Sequence, residues 1–307
     1  MIKYLLGIDG GGTKTEFLLS DLQMNTVKSL ILGTANPSVI GIGNVKEVLK
    51  KGITDILTDI PFSEVSLFAG ISGTGSSDIK AEISAFLSDF GFGAFSNGSD
   101  TESALALAAG KGDGIAVIMG TGIVALGKIS DNIHRAGGWG YMIDKGGSGF
   151  SYGADALNSA FSYLDGRDGS NEMLTLIEKK AEKPLPELIP DIYSKGPSYV
   201  ASFATVVFEA YLMGDKKAEE IIDRNSKEVS LLIEAVDKSK DINEVSFCGG
   251  LCRQKEILIP FLKKYLKKNY NMKFIEEPVV NGALSIAKGL IQKVMLCSEQ
   301  KCAIPTR

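Results

Sequence analysis

The sequence predicts an α/β protein made of two related halves, and two observations carry that prediction. Apolar runs of strand length alternate with amphipathic stretches of helix length, the pattern of sheets with crossover connections. In addition, a strand, glycine turn, strand unit occurs twice. The first copy is Leu5–Asp9, Gly10-Gly11-Gly12-Thr13-Lys14, Thr15–Leu19; the second is Ile115–Met119, Gly120-Thr121-Gly122, Ile123–Ile129. The recurrence reads as an internal duplication, with one phosphate-clamping hairpin per domain. Chance similarity of two hairpins is the plainer account.

The opening hairpin is the most informative stretch. Consecutive glycines accept positive φ and let backbone N–H groups approach a ligand with no Cβ in the way. Such a turn is a nest of donors suited to phosphate oxygens. Asp9, at the strand end, can hold a hydrated Mg²⁺, because hard cations prefer carboxylate and water oxygens. Thr13 and Lys14 add a hydroxyl and a positive charge. The turn is neither a Walker loop nor a dinucleotide fingerprint, since the spacing of the first and the helix of the second are missing. A ligand-free glycine hairpin is the plain alternative.

Bulk properties exclude several classes. The chain has 307 residues, 44% hydrophobic and 23% charged, with a formal net charge of −4, which is ordinary for a soluble globular protein. No basic run suggests nucleic acid, and no apolar run reaches the ~18 residues of a membrane span. Met1-Ile2-Lys3 leads straight into a strand, so no signal peptide is expected and a cytoplasmic location is. The cysteines are Cys248, Cys252, Cys297 and Cys302. Their spacing is not that of a zinc site, and free thiols are expected. The single histidine, His134, lies in a polar hairpin-like stretch, which suggests a surface turn residue and disfavours serine–histidine hydrolysis.

Taken in order, Val27–Gly33 reads as a third strand, and Thr34-Ala35-Asn36-Pro37-Ser38 as a loop in which Pro37 keeps Asn36 extended. Val45–Ile56 has helical spacing. Val65–Ile71 is a buried strand ending in the polar loop Ser72-Gly73-Thr74-Gly75. Ile79–Phe90 is a helix, Phe92–Phe95 a strand, and an alanine- and leucine-rich helix ends at Ala109. Asp100 is either a helix cap or a strand-end carboxylate facing a ligand. After the second hairpin, Ala136–Phe150 is a glycine-rich loop holding the only tryptophan, Trp139, as a substrate-lining or moving loop would. Tyr152 to about Ser239 is mostly helical, and its charge runs, residues 178–183 and 216–220, read as solvated faces. Val245–Cys248 is a strand, and Gly249-Gly250 turns the chain toward a helix of about Gln254–Lys267. This glycine pair permits close approach of a ring or ribose, or only tight packing. A strand at Met272–Ile275 leads to a helix from Asn281 with small residues on one side, and the tail from Ser298 is expected to be poorly ordered.

Asp9–Lys14, Asn36, Asp100, Gly120-Thr121-Gly122, Gly137-Gly138-Trp139-Gly140-Tyr141, Gly147-Ser148-Gly149, Gly249-Gly250 and Asn281-Gly282-Ala283 together resemble a known family. It is the N-acetylglucosamine kinase branch of the actin-like sugar kinase superfamily, grouped with the BadF/BadG-type ATPases. The resemblance spans nearly the whole chain. It implies two ribonuclease-H-like domains around a cleft. Residues 1–110, completed by a helix at 283–296, would form the sugar side. Residues 111–282, with a helical insert at about 152–240, would form the ATP side. ATP and Mg²⁺ are the implied cofactors. Asp9 would position the metal through water. Gly10, Gly11, Gly12, Thr13, Lys14, Gly120, Thr121 and Gly122 would hold phosphates, and Gly249 and Gly250 would flank adenosine. Asn36, Ser72, Gly73 and Thr101 would contact the sugar, as would Trp139, Asp144 and Lys145. Asp100 would contact it too and act as base toward the 6-hydroxyl of an amino sugar: N-acetylglucosamine, glucosamine or a muramic-type sugar. A homodimer is expected.

One departure stands out. Where the family usually reads Gly-Asp-Glu-Gly-Ser, this chain has Asp144-Lys145-Gly146-Gly147-Ser148. Lysine cannot accept a hydroxyl hydrogen bond. Either Asp144 supplies the carboxylate from one residue earlier, or Lys145 pairs with an acidic substituent such as a lactyl carboxylate. The competing function is an ATP-driven activator with no sugar. Such activators usually carry interface cysteines for an iron–sulfur cluster, whereas Cys248 and Cys252 fall in the adenosine region. A sugar-sensing repressor is not expected, because no helix-turn-helix segment precedes Met1.

Overall fold

A computed structural model describes the chain except residues 75, 76, 111, 131, 239, 240 and 302–307, and except the side chains of 109 and 293–301. Gly75 and Cys302, and the side chain of Cys297, therefore lie outside the described residues. The elements in order are β1 (Tyr4–Gly10), β2 (Lys14–Asp21), β3 (Thr26–Gly33), α1 (Pro37–Ile56), β4 (Val65–Ile71), α2 (Ser77–Ser88), β5 (Ala94–Gly98) and α3 (Asp100–Ala109). The chain continues through β6 (Gly114–Met119), β7 (Ile123–Ile129), β8 (Asn132–Gly137), α4 (Gly149–Leu164), α5 (Asn171–Ala181), α6 (Ile189–Ser194), α7 (Pro197–Ser202), α8 (Ala204–Leu212) and α9 (Lys216–Val236). It ends with β9 (Glu244–Cys248), α10 (Lys255–Tyr265), β10 (Asn271–Ile275) and α11 (Val280–Lys301). Two compact units result: Met1–Lys111 with the segment from Glu277 onward, and Gly112–Glu276.

Each unit holds one mixed five-stranded sheet, ordered β3-β2-β1-β4-β5 in the first and β10-β9-β6-β7-β8 in the second. Read from the other edge, the second order is β8-β7-β6-β9-β10, the same as the first. The strand senses repeat as well: the first three strands of each set are antiparallel neighbours and the remaining pairs are parallel. Parallel neighbours end on the same side, so ligand-facing loops gather at their C-terminal ends.

In the first unit, β1 is buried along both faces. Leu6, Ile8, Phe17, Leu49, Ile53 and Leu67 fill the core on the α1 side. Each such buried side chain stabilises by about 1.5–3 kcal/mol. On the other face α11 lies directly on β1. A Cβ on Gly7 would be 2.9 Å from the Leu284 nitrogen, and a Cβ on Gly282 would be 1.8 Å from the Ser103 carbonyl oxygen. The small residues at the start of α11 thus admit β1 and α3 at backbone distance. In the second unit, Val117, Tyr152, Phe208, Ile222, Val229 and Phe247 centre the core beneath α4, α8 and α9.

Several local expectations are corrected. Asn36 is not in a plain loop: it caps α1, its Oδ1 accepting the Ser38 N–H at 2.9 Å, and Pro37 opens the helix. Proline suits that position because the missing N–H is an orphan there anyway. Asp100 is not the cap of α3. Ser99 is, in a capping box with Glu102, and Asp100 is the first helical residue. His134 is not in a turn but in β8, opposite Gly127. Between Gly249 and α10 the chain makes a 3-10 helix, Gly250–Gln254.

Candidate functional site

The first unit gathers its polar loops at the C-terminal ends of β1, β4 and β5. Asp9 is registered opposite Gly70 of β4, and Gly70 opposite Gly98 of β5. Gly70 is the reason a second carboxyl group, that of Asp100, comes so near. A Cβ there would lie 2.3 Å from Ser103 Oγ, 3.1 Å from the Ser99 carbonyl and 3.4 Å from Asp100 Cα. The bare glycine lets the start of α3 sit against β4, beside Asp9. Asp100 Oδ1 accepts the Thr101 N–H at 2.9 Å, and Ser99 Oγ lies 2.6 Å from Thr101 Oγ1.

This crowding shows in the charge state of Asp9. Its pKa is pushed up to about 7, mainly by burial of the carboxyl, then by repulsion from Asp100 and Glu16, with Lys14 pulling the other way. Lys14 is ion-paired with Glu16, two residues along on β2, which limits its help to Asp9. Acids held close enough to raise a pKa make a site where a cation is favoured. The described residues contain no cluster of three or more histidine, cysteine, aspartate or glutamate side chains placed to hold a metal. A cation here would draw most of its ligands from water and substrate, as Mg²⁺ commonly does.

The turn itself departs from expectation in an instructive way. Gly10, Gly11 and Gly12 all have negative or extended φ, as do Gly120 and Gly122. Positive φ is therefore not why these residues are glycine. Nor is packing, at most of them. A Cβ on Gly122 would meet nothing within 4 Å, and one on Gly12 or Gly120 would find its first neighbour at 4.0 Å. The space over Gly12, Gly120 and Gly122 is open, so a ligand could approach these backbones unhindered.

The remaining residues of the first unit join this site through Thr34. Its hydroxyl donates to the Gly11 carbonyl at 2.8 Å and accepts the Asn36 N–H at 3.1 Å. Gly73, with φ of 80°, is pressed against Asn36: a Cβ would fall 2.6 Å from Asn36 Oδ1. Ser72 N–H donates to the Gly10 carbonyl at 2.7 Å. Asn36, Ser72, Gly73 and the turn therefore form one connected group.

The second unit builds an analogous group at the ends of β6 and β9, which pair in parallel through Ile118 and Cys248. Gly249 has φ of 109°, and a Cβ there would lie 2.5 Å from the Met119 carbonyl oxygen and 3.2 Å from the Gly120 nitrogen. Gly249 is thus explained by packing against the turn, whereas a Cβ on Gly250 would enter open space. The turn Gly120–Gly122 is tied to the start of α4: the Gly149 and Phe150 N–H groups donate to the Gly120 and Thr121 carbonyls at 2.7 and 3.1 Å. Cys248 and Cys252 are buried, and burial pushes the Cys252 thiol up to about 12. A thiolate, the form that binds clusters, is disfavoured there.

The glycine-rich loop meets that turn at its C-terminal end, while residues 139–143 are exposed. Trp139 is 66% exposed, and its ring lies 4.8 Å from the guanidinium carbon of Arg135. Asp144 closes its own small turn, accepting the Gly140 N–H at 3.1 Å. Lys145 is exposed, and no ion pair or hydrogen bond engages it among the described residues. Sequence reasoning missed Thr34 and Glu16; Thr34 could have been suspected from its place two residues before Asn36.

A mixed five-stranded sheet in each unit, with glycine turns at the strand ends, is the α/β fold found in solved actin-like sugar-kinase structures. The chain belongs to the BadF/BadG/BcrA/BcrD ATPase family, whose model matches residues 6–284. It is 30% identical over 284 residues to the N-acetylmuramic acid/N-acetylglucosamine kinase of Clostridium acetobutylicum, covering 88% of this chain and 92% of that one. It is 27% identical over 289 residues to the N-acetyl-D-glucosamine kinase of Dictyostelium discoideum, covering 86% and 90% of the two chains. Among solved structures, it matches a Chromobacterium violaceum protein provisionally described as an N-acetylglucosamine kinase, with TM-score 0.75, 23% identity, and 93% and 99% coverage. It also matches a ROK family glucokinase of Streptomyces griseus in complex with glucose and AMPPNP, with TM-score 0.58, 14% identity, and 94% and 99% coverage. At these identities the structural matches speak for the fold alone.

Proposed function

We propose that this protein is an ATP-dependent kinase that phosphorylates the 6-hydroxyl of an amino sugar. Kinship to amino-sugar kinases along most of the chain supports the substrate class. The observation that carries the chemistry is the nearness of Asp9, at the end of β1, to Asp100, the first residue of α3, beside an open glycine turn. In this reading the turn from Gly10 to Lys14, and Gly120, Thr121 and Gly122, hold the phosphates of ATP, through groups other than the Gly11 and Gly120 amides, which close the two turns on the Lys14 and Gly122 carbonyls. Gly249 and Gly250 flank adenosine. Asn36, Ser72, Gly73 and Thr101 orient the sugar, with Trp139, Asp144 and Lys145 from the glycine-rich loop.

Asp9 would hold hydrated Mg²⁺, which would neutralise charge on the phosphates. Asp100 takes the proton of the sugar hydroxyl as its oxygen bonds to the γ-phosphorus and the bond to ADP breaks. General-base help of this kind contributes about 10²–10⁴-fold, the rest coming from positioning and charge. The enzyme is proposed to be a cytoplasmic homodimer; no described helix is long and apolar enough to cross a membrane.

A narrower substrate is favoured by one observation. Asp144 is engaged by its own loop, while among the described residues nothing engages the Lys145 ammonium. That supports recognition of an acidic substituent, such as the lactyl carboxylate of N-acetylmuramic acid. The test is ADP release by purified protein with Mg²⁺, ATP and N-acetylglucosamine, glucosamine or N-acetylmuramic acid. Sugar-dependent turnover is expected, with Lys145→Met losing N-acetylmuramic acid more than N-acetylglucosamine. ATP hydrolysis indifferent to every sugar would instead favour a regulatory ATPase.

A further inference from the structure

The helix α9 contributes a buried amide that none of the roles above uses. Asn225 is 1% exposed, so its polar atoms must find partners inside the fold. Its Oδ1 accepts the Gly147 N–H at 2.7 Å. Its Nδ2 donates to Asp155 Oδ2 and to the Ile221 carbonyl, each at 2.9 Å. Asp155, on α4, is held in turn by Arg224 at 2.6 Å.

What Asn225 grips is the segment that leads into α4. Gly147 has φ of 83°, and a Cβ there would fall 2.4 Å from Val229 Cγ2 and 2.6 Å from Ile123 Cδ1. Glycine lets this backbone lie flat against α9 and β7, with its N–H aimed at Asn225. Two residues on, the first amides of α4 take the Gly120 and Thr121 carbonyls. A peptide unit is planar and trans, so its N–H points opposite to its C=O. Drawing the Gly120 carbonyl toward α4 aims the Thr121 N–H away from α4. Drawing the Thr121 carbonyl there does the same for the Gly122 N–H.

We infer that Asn225 is a positioning residue for nucleotide binding. Acting through Gly147 and the first turn of α4, it sets the direction in which the Thr121 and Gly122 amides present themselves to phosphate. The inference rests on the kinase reading, and its test is separable from that of the reading. Calorimetric titration with ATP and Mg²⁺, without sugar, measures the wild type, Asn225→Ala, Asn225→Asp, the exchange Asp155→Asn/Asn225→Asp, and Ser230→Ala. Ser230 is a control: it is buried on the same helix, and its hydroxyl donates to the Ser226 carbonyl at 2.9 Å, outside this chain of contacts.

Asn225→Ala is expected to weaken ATP about tenfold, the worth of one misdirected charge-assisted hydrogen bond. KM for the sugar should stay unchanged, and amide exchange over residues 118–124 should quicken. Asn225→Asp sets a second carboxylate against Asp155 and should also lose affinity. The exchange variant restores an acceptor for Gly147 and a donor between the two side chains, and should recover most of it. Ser230→Ala should match the wild type in ATP affinity. Wild-type ATP affinity in Asn225→Ala, an equal loss in Ser230→Ala, or no recovery in the exchange variant each overturns the inference while leaving the kinase reading intact. Should Asn225→Ala not fold, recovery or non-recovery in the exchange variant decides. A wild type that binds no ATP removes the kinase reading itself, and this inference with it.

Discussion

Replacing Asp9 by asparagine removes a carboxyl whose pKa the fold raises from 3.8 to about 7, chiefly by burial and then by the nearby Asp100. Because the folded carboxyl keeps its proton to higher pH than the unfolded one, the wild type loses stability as pH climbs from below 4 through about 7. At about 1.4 kcal/mol per pH unit between the two values, the full cost reaches about 4 kcal/mol. Roughly 2–3 kcal/mol of it falls between pH 5 and pH 8. Asparagine carries no charge at any of these pH values. The stability of Asp9→Asn relative to wild type should therefore grow by that amount over this range when metal is chelated. Urea unfolding by circular dichroism reads the difference. Hydrogen exchange of the β1 and β4 peptides confines it to the first unit, which the sole tryptophan, Trp139 of the second unit, cannot report. A difference that stays flat from pH 5 to pH 8 would refute the claim that burial beside Asp100 raises this pKa. In the presence of Mg²⁺ and ATP the order should reverse, the wild type gaining stability that the variant does not.

Three further outcomes follow from the same geometry. Asp100→Asn should leave the fold and ATP affinity intact and lower kcat by about 10²–10⁴, since capping belongs to Ser99; near-normal turnover would assign the base elsewhere. Gly122→Ala should keep the melting temperature within a degree or two of wild type, because its φ is not positive and its Cβ meets nothing. It should raise KM for ATP about tenfold, the worth of about 1.4 kcal/mol, and unchanged nucleotide kinetics would show that the open space is not the ligand's. Gly282→Ala should destabilise by about 3 kcal/mol in chemical denaturation, since its Cβ would sit 1.8 Å from the Ser103 carbonyl and α11 must part from α3.

Local pattern was enough for much of the architecture. The alternation of apolar runs, the doubled glycine turn and the glycine at Gly282 are written in residue type and spacing. They foretell mixed α/β sheets, the two hairpins and a close helix crossing. The boundaries that slipped were those set by capping chemistry. Asn36 looks like a loop residue and caps α1; Asp100 looks like a cap and is displaced from that role by Ser99, whose hydroxyl and Glu102 form the reciprocal pair. Several residues near a helix start can each accept an N–H, and only the backbone geometry chooses among them.

What the sequence alone determined about this protein is its kinship and the location of its glycine turns, because both depend on residue identity at short range. Tertiary structure decided the rest. It buried the Asp9 carboxyl and set Asp100, packed on Gly70, near it, which together raise the pKa of Asp9. It joined Gly11 to Asn36 through Thr34. It also brought Asn225 from a charged helix, 78 residues away in sequence, onto Gly147. The physical reason is the same each time. Electrostatic crowding and buried hydrogen bonds depend on which atoms lie within a few ångströms, and strand pairing and helix packing set those neighbours across long stretches of chain.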